Sequence, residues 1–121
     1  VENVGSGHMI PTGMPTREVV LQVTAESGGL TRTQTRVYRK VVGDEKGQIL
    51  EADHEALLKG ALILGDNRIA PRERRIERFN FPFRDSKTAK ITATLAYRYS
   101  PRLVKVQEMN VQLGQVQRFI Q

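Results

Sequence analysis

The sequence predicts an all-β fold, an antiparallel β-sandwich forming a single domain over residues 1–121. Three observations carry this. Apolar and polar residues alternate with period two in several separate runs, most clearly over 90–99 and 17–26. Gly, Pro, Asn and Asp clusters punctuate the chain between those runs. No strand–helix–strand alternation marks a parallel sheet, and no Cys…Trp…Cys pattern marks an antibody-type domain. At 121 residues the chain is long enough to bury a core.

The elements follow in order. Val1–Val4 reads as a short first strand leading into a Gly/Pro loop. Over 17–26, Val19, Leu21, Val23 and Ala25 face one way and Gln22, Thr24 and Glu26 the other, with Val20 out of pattern. Ser27-Gly28-Gly29 is a turn signal, and 31–42 reads as a second strand forming a hairpin with the first. Residues 43–47 form a loop. Between 48 and 65 the pattern supports a short helix near 51–59, opened by Glu51, Asp53 and Glu55 and closed by Lys59-Gly60. It also admits a short strand over 61–64. Residues 73–83 read as a strand with Phe79, Phe81 and Phe83 on one face, supplying most of the aromatic core; Pro82 places it at a sheet edge or a strand end. Over 90–99, Ile91, Ala93, Leu95, Tyr97 and Tyr99 alternate with Thr92, Thr94, Ala96 and Arg98, which pins the register. The tail after Pro101 is ambiguous. Val106, Met109, Leu113, Val116 and Ile120 fit a helical spacing, and Met109, Val111 and Leu113 fit a strand. Extended or irregular chain is expected through Val106, then a mixed end able to dock on a partner.

Composition excludes several classes. There is no cysteine, so this chain holds no disulfide, zinc–cysteine site, iron–sulfur cluster or Cys-x-x-Cys-His haem attachment. No apolar run is long enough to cross a membrane as a helix. Nineteen basic against thirteen acidic residues give a net charge of +6. The cations are dispersed along the chain without an accompanying nucleic-acid motif, so they read as solvated strand faces. Binding of an anionic polymer or glycan to those faces is a further, salt-sensitive possibility. No catalytic signature is present: no Gly-x-Ser-x-Gly, no phosphate-binding Gly-rich loop, no His-Glu-x-x-His. The chain opens on Val1 rather than Met and is expected to be a segment of a longer protein.

The most specific stretch is 3–15, Asn-Val-Gly-Ser-Gly-His-Met-Ile-Pro-Thr-Gly-Met-Pro. Gly5, Gly7, Gly13, Pro11 and Pro15 build a stiff loop around one imidazole, His8. Two roles are open for His8: a metal ligand, including an axial ligand to haem iron, or a loop histidine whose ring nitrogens hold the turn through backbone bonds. Thr12 is expected to cap the loop through its hydroxyl. His54, between Asp53 and Glu55, reads as a solvated surface residue rather than a metal site, because adjacent residues diverge on a helix. Asp66 is expected to form a turn, with Arg68, Glu73, Arg75 and Glu77 making cross-strand ion pairs rather than acid–base catalysis.

Two stretches together carry a resemblance. Asn3-Val4-Gly5-x-Gly7-His8-x-x-Pro11-Thr12-Gly13-x-Pro15-x-Arg17 runs into the strand at Val19. Asp66-x-Arg68-x-x-Pro71-x-Glu73 runs into Glu77-x-Phe79-x-Phe81. Over about residues 3–99 this resembles the immunoglobulin-like β-sandwich domain that follows the haem region in multihaem c-type cytochromes. The resemblance implies an immunoglobulin-like sandwich in a periplasmic or extracellular protein, beside a haem-bearing domain or subunit as partner. Haem c would then be held covalently elsewhere, with His8 as its possible axial ligand. It implies no catalysis by this chain. The alternative is a protein–protein assembly module with no haem contact, its free edge strand or C-terminal tail pairing with a neighbour.

Overall fold

The computed structural model describes residues 1–13, 15–51, 53–84, 88–99 and 109–120. The fold is all-β and sandwich-like, with two antiparallel sheets and one short helix. In the larger sheet, β1 (Arg17–Ser27) lies between β2 (Leu30–Tyr38) and β6 (Ala89–Tyr99), and β7 (Met109–Ile120) flanks β6. In the smaller, β3 (Lys40–Gly43) lies between β4 (Ile49–Leu50) and β5 (Leu62–Asp66), with α1 (Asp53–Lys59) linking the last two.

The β1–β2 hairpin closes through Gly28 and Gly29, at φ 56° and 78°. Two successive positive φ values are what a two-residue hairpin turn needs, and glycine adopts them without strain. The register places Val19, Leu21, Val23 and Ala25 opposite Tyr97, Leu95, Ala93 and Ile91. The apolar rows read from the two sequence patterns therefore share one face. The core gathers there: Val19, Tyr38 and Ile69 are buried, with Ile10, Leu21, Leu95 and Tyr97 packed against them.

Three elements depart from the sequence expectation. The run expected as one strand over 31–42 is two strands in different sheets, broken at Arg39. Asn67 makes the break possible: its Oδ1 accepts from Arg39 N at 2.7 Å and its Nδ2 donates to the Val37 carbonyl at 2.7 Å. One side chain thus satisfies backbone groups that would otherwise need a neighbouring strand. Val1–Val4 forms no strand, only an isolated bridge between Glu2 and Arg74.

Residues 73–83 are extended but join no ladder. Burial still alternates, with Glu73, Arg75, Glu77, Phe79, Phe81 and Phe83 half-buried and the residues between them exposed. The segment is held to β2 by side chains. Arg36 stacks over Phe79 at 4.8 Å and Arg32 over Phe83 at 5.8 Å, and Gln34 Nε2 donates to the Asn80 carbonyl at 2.6 Å. The shared Phe face is real, but the fully buried aromatic ring is Tyr38. The rings pair with guanidinium groups, which keeps them at a wet boundary.

The tail from Met109 is strand, not helix, and the register shifts between Leu95 and Ala96 to accommodate β7. The extended chain expected through Val106 falls at 101–108, outside the described residues. Between 48 and 65 the helix and the strand are both present, as α1 and β5.

Candidate functional site: the His8 loop

Asn3 organises the loop. It is buried, and its side-chain amide reaches three backbone groups: Nδ2 donates to the His8 carbonyl at 2.8 Å and to the Ile69 carbonyl at 3.2 Å, and Oδ1 accepts from Ser6 N at 3.3 Å. A carboxamide is the one short side chain that offers both donor and acceptor for such a junction. Backbone bonds continue the attachment. Asn3 N donates to the Glu73 carbonyl at 3.0 Å, Arg72 N to the Asn3 carbonyl at 2.9 Å, and Ile10 and Ile69 exchange bonds at 2.9 and 2.8 Å. The two sequence stretches singled out above are therefore one structural unit.

His8 stands at the exposed tip. Its Nδ1 lies 3.1 Å from the Met9 carbonyl and 2.8 Å from Ser6 Oγ, and Ser6 Oγ donates to the His8 carbonyl at 3.1 Å. A carbonyl can only accept, so the Met9 contact places the proton on Nδ1. The Nε2 lone pair is left with no partner among the described residues. One ring nitrogen is thus tied to backbone and the other presented to solvent, the arrangement that fixes tautomer and direction in metal-bound histidines. The contacts at Nδ1 are those expected of a histidine that holds its own loop.

The rest of the loop is shaped by packing. Ile10–Pro11 is a cis peptide. Gly13 sits at φ 82°, and a Cβ there would lie 3.0 Å from Arg17 Nη1. Arg17 in turn stacks over the Tyr99 ring at 5.7 Å. Position 13 therefore needs glycine for its backbone angle, and a side chain there would also crowd Arg17. Thr12 is half-buried with no hydrogen-bond partner among the described residues. The capping expected of it falls to Asn3, named in sequence only as the start of the stretch, and to Ser6, which was not named; an Asx ahead of a Gly-Ser-Gly turn is the signal that could have found them.

The second stretch is a scaffold. Asp66 takes a two-pronged bond from Arg68, Nε at 2.8 Å and Nη2 at 2.7 Å, which holds its carboxyl below the ordinary 3.8. Ala70 N donates to Glu73 at 2.9 Å, and Arg75 pairs with the same carboxylate; together they hold it below the ordinary 4.5. Arg72, at φ 62°, follows Pro71 in the turn closed by Glu73 N and the Ala70 carbonyl at 3.0 Å. These two ion pairs join residues two apart rather than crossing strands, whereas Glu77 reaches across to Arg36 at 3.6 Å. Glu77 also accepts from the buried Tyr38 hydroxyl at 3.0 Å.

No group of three or more His, Asp or Glu side chains suited to a metal gathers among the described residues. The side chains of Asp53 and His54 lie outside the described residues. A cleft of about 280 Å³ lies elsewhere, lined by residues of β1, β3, β4 and β6. There Glu18 bridges Arg39, at 3.2 Å, and Arg98, and Lys40 also lines the cleft. No helix among the described residues is long and apolar enough to cross a membrane. The chain matches no family model, no curated protein and no solved structure.

Proposed function

We propose that this chain is a non-catalytic accessory sandwich, of immunoglobulin-like type, in an extracytoplasmic multihaem c-type cytochrome. In this reading it packs against haem-bearing protein and presents His8 Nε2 as an axial ligand. The observation that carries the reading is the divided imidazole, Nδ1 held by the Met9 carbonyl and Ser6, and Nε2 with no partner among the described residues. The donor set fits one position of an iron and no more: a single imidazole on a braced loop, without cysteine. The macrocycle itself belongs to the partner.

When bound, haem supplies one-electron redox chemistry. The chain's own residues set the approach of the ligand. Asn3 locks the loop to the segment at Ile69, and Ser6 and Met9 fix the ring and its tautomer. A ligand held in one direction and covered by protein shifts a haem potential without performing any redox step.

The test uses a ferric haem c peptide with one histidine ligand and an open sixth position. Titration with the protein is expected to convert the high-spin spectrum to a low-spin bis-imidazole one. His8→Ala should weaken that conversion at least tenfold, while His54→Ala leaves it unchanged. No conversion by the wild-type protein, or equal conversion by His8→Ala, overturns the assignment.

A further inference from the structure

The extended segment 73–83 is paired along one side only at its start. Arg75 N donates to the Val1 carbonyl at 2.7 Å, the Val1 nitrogen donates to the Arg75 carbonyl at 3.0 Å, and Glu2 bridges Arg74 in the antiparallel sense. That exchange fixes which way the backbone points. Successive residues of an extended chain turn their N–H and C=O groups to alternate sides. Those of Glu77, Phe79, Phe81 and Phe83 therefore share the side that Val1 occupies at Arg75. The carbonyls between them point the other way, where Arg78 accepts from Arg36 at 3.4 Å and Asn80 from Gln34 at 2.6 Å. Pro82, which has no N–H, falls in that second set. No backbone group of 76–83 bonds to another backbone group among the described residues. A cavity of about 430 Å³ opens where the pairing stops, and Val1, Leu21, Arg75, Ile76 and Glu77 help to line it.

A row of unpaired donors and acceptors at this spacing has one complement, another extended chain. Val1 and Glu2 show which side chains fit beside it. Val1 packs inward on the cluster of Val19, Tyr38 and Ile69, whereas Glu2 stays outside and takes Arg74 at 3.1 Å. The same two rows continue along the segment. Glu77, Phe79, Phe81 and Phe83 are half-buried, and Ile76, Arg78, Asn80, Pro82 and Arg84 are exposed. Arg78 and Arg84 have no acidic partner among the described residues. A neighbour that repeats the Val1–Glu2 pattern, apolar inward and acidic outward, answers both rows. A second copy offering this edge brings its own Arg78 and Arg84 to the same place, so it is the poorer fit.

We propose that the free side of 77–83 binds an extended segment of another protein, antiparallel to it and end to end with Val1, in which apolar residues alternate with acidic ones. Backbone bonds to Glu77, Phe79 and Phe81 hold the segment, its apolar side chains enter the cavity over Leu21, and its acids meet Arg78 and Arg84. This strand addition does not depend on any haem contact of His8.

The probe is an end-capped synthetic peptide of about seven residues, valine alternating with glutamate, added to the full chain and followed by amide hydrogen exchange. In the chain alone the amides of Glu77, Phe79 and Phe81 should exchange freely. Saturating peptide should slow them at least tenfold and leave those of Arg78 and Asn80 unchanged. A peptide with lysine in place of glutamate should bind at least fivefold more weakly. Arg78→Glu, at an exposed side chain, should reverse that preference, while Arg118→Glu, on β7, makes the same change of net charge and leaves it standing. Methylating the peptide nitrogens that face the edge should abolish binding. Protection of Glu77, Phe79 and Phe81 in the chain alone overturns the proposal, because a part of this chain or a second copy then fills the edge. Absence of binding, equal protection of the two sets of amides, or undiminished binding of the methylated peptide overturns it as well.

Discussion

At the scale of single residues the decisive side chain is Asn3. It is almost fully buried, and it makes three bonds to backbone groups of Ser6, His8 and Ile69. Removing it leaves two carbonyls and an amide to find other partners around a site built for none. Each buried hydrogen bond contributes about 1 kcal/mol net, and a stranded partner costs about as much again. Asn3→Ala is therefore expected to lower unfolding stability by about 2–4 kcal/mol, measured by urea denaturation. Asn3→Asp keeps the volume but loses both donors and buries a charge, so it should be no milder. His8→Ala touches only the exposed tip and should change stability by less than about 0.5 kcal/mol. That contrast separates the residue that builds the loop from the residue the loop displays.

At the scale of elements, the link between β2 and the extended segment 73–83 is a polar one, centred on Tyr38. Burial first, and then the bond from its hydroxyl to Glu77, push the Tyr38 phenol well above its ordinary 10.0. The sign follows directly. Above pH 10 the unfolded chain loses the Tyr38 proton while the folded chain keeps it, so stability is full below pH 10 and falls as pH rises beyond it. The chain has three tyrosines and no tryptophan, so phenolate absorbance reports them cleanly. Tyr38 is expected to titrate only as the protein unfolds. Tyr38→Phe should abolish that late phase.

The same element shows what the sequence could disclose. Period two gave the shared Phe face and the positions of β1 and β6, because one-sided burial imposes that period on a strand. It also placed His8 in a rigid loop. It could not reveal the break at Arg39, because the side chain that permits it, Asn67, is distant in sequence. Nor could it show that 73–83 joins no ladder: alternation reports which face is buried, not whether the backbone is paired. The tail was ambiguous because Met109, Val111 and Leu113 fit one period while Met109, Leu113, Val116 and Ile120 fit the other. Contact with β6 settles it.

At the scale of the whole molecule, stability rests on a small core. Among the described residues the fully buried apolar side chains are few, chiefly Val19, Ala25, Tyr38 and Ile69, with Val23, Val42 and Leu50 close behind. A core of that size leaves little margin over the conformational entropy of ordering a chain this long. Ile69 joins the cluster of Val19 and Tyr38 from outside the named strands. Ile69→Ala is therefore expected to lower unfolding stability by about 2–5 kcal/mol, read by urea denaturation. Ile76→Ala, at an exposed side chain, should change it by less than about 0.5 kcal/mol. Equal effects of the two substitutions would mean that burial in this cluster is not what holds the sheets and the 66–83 segment together.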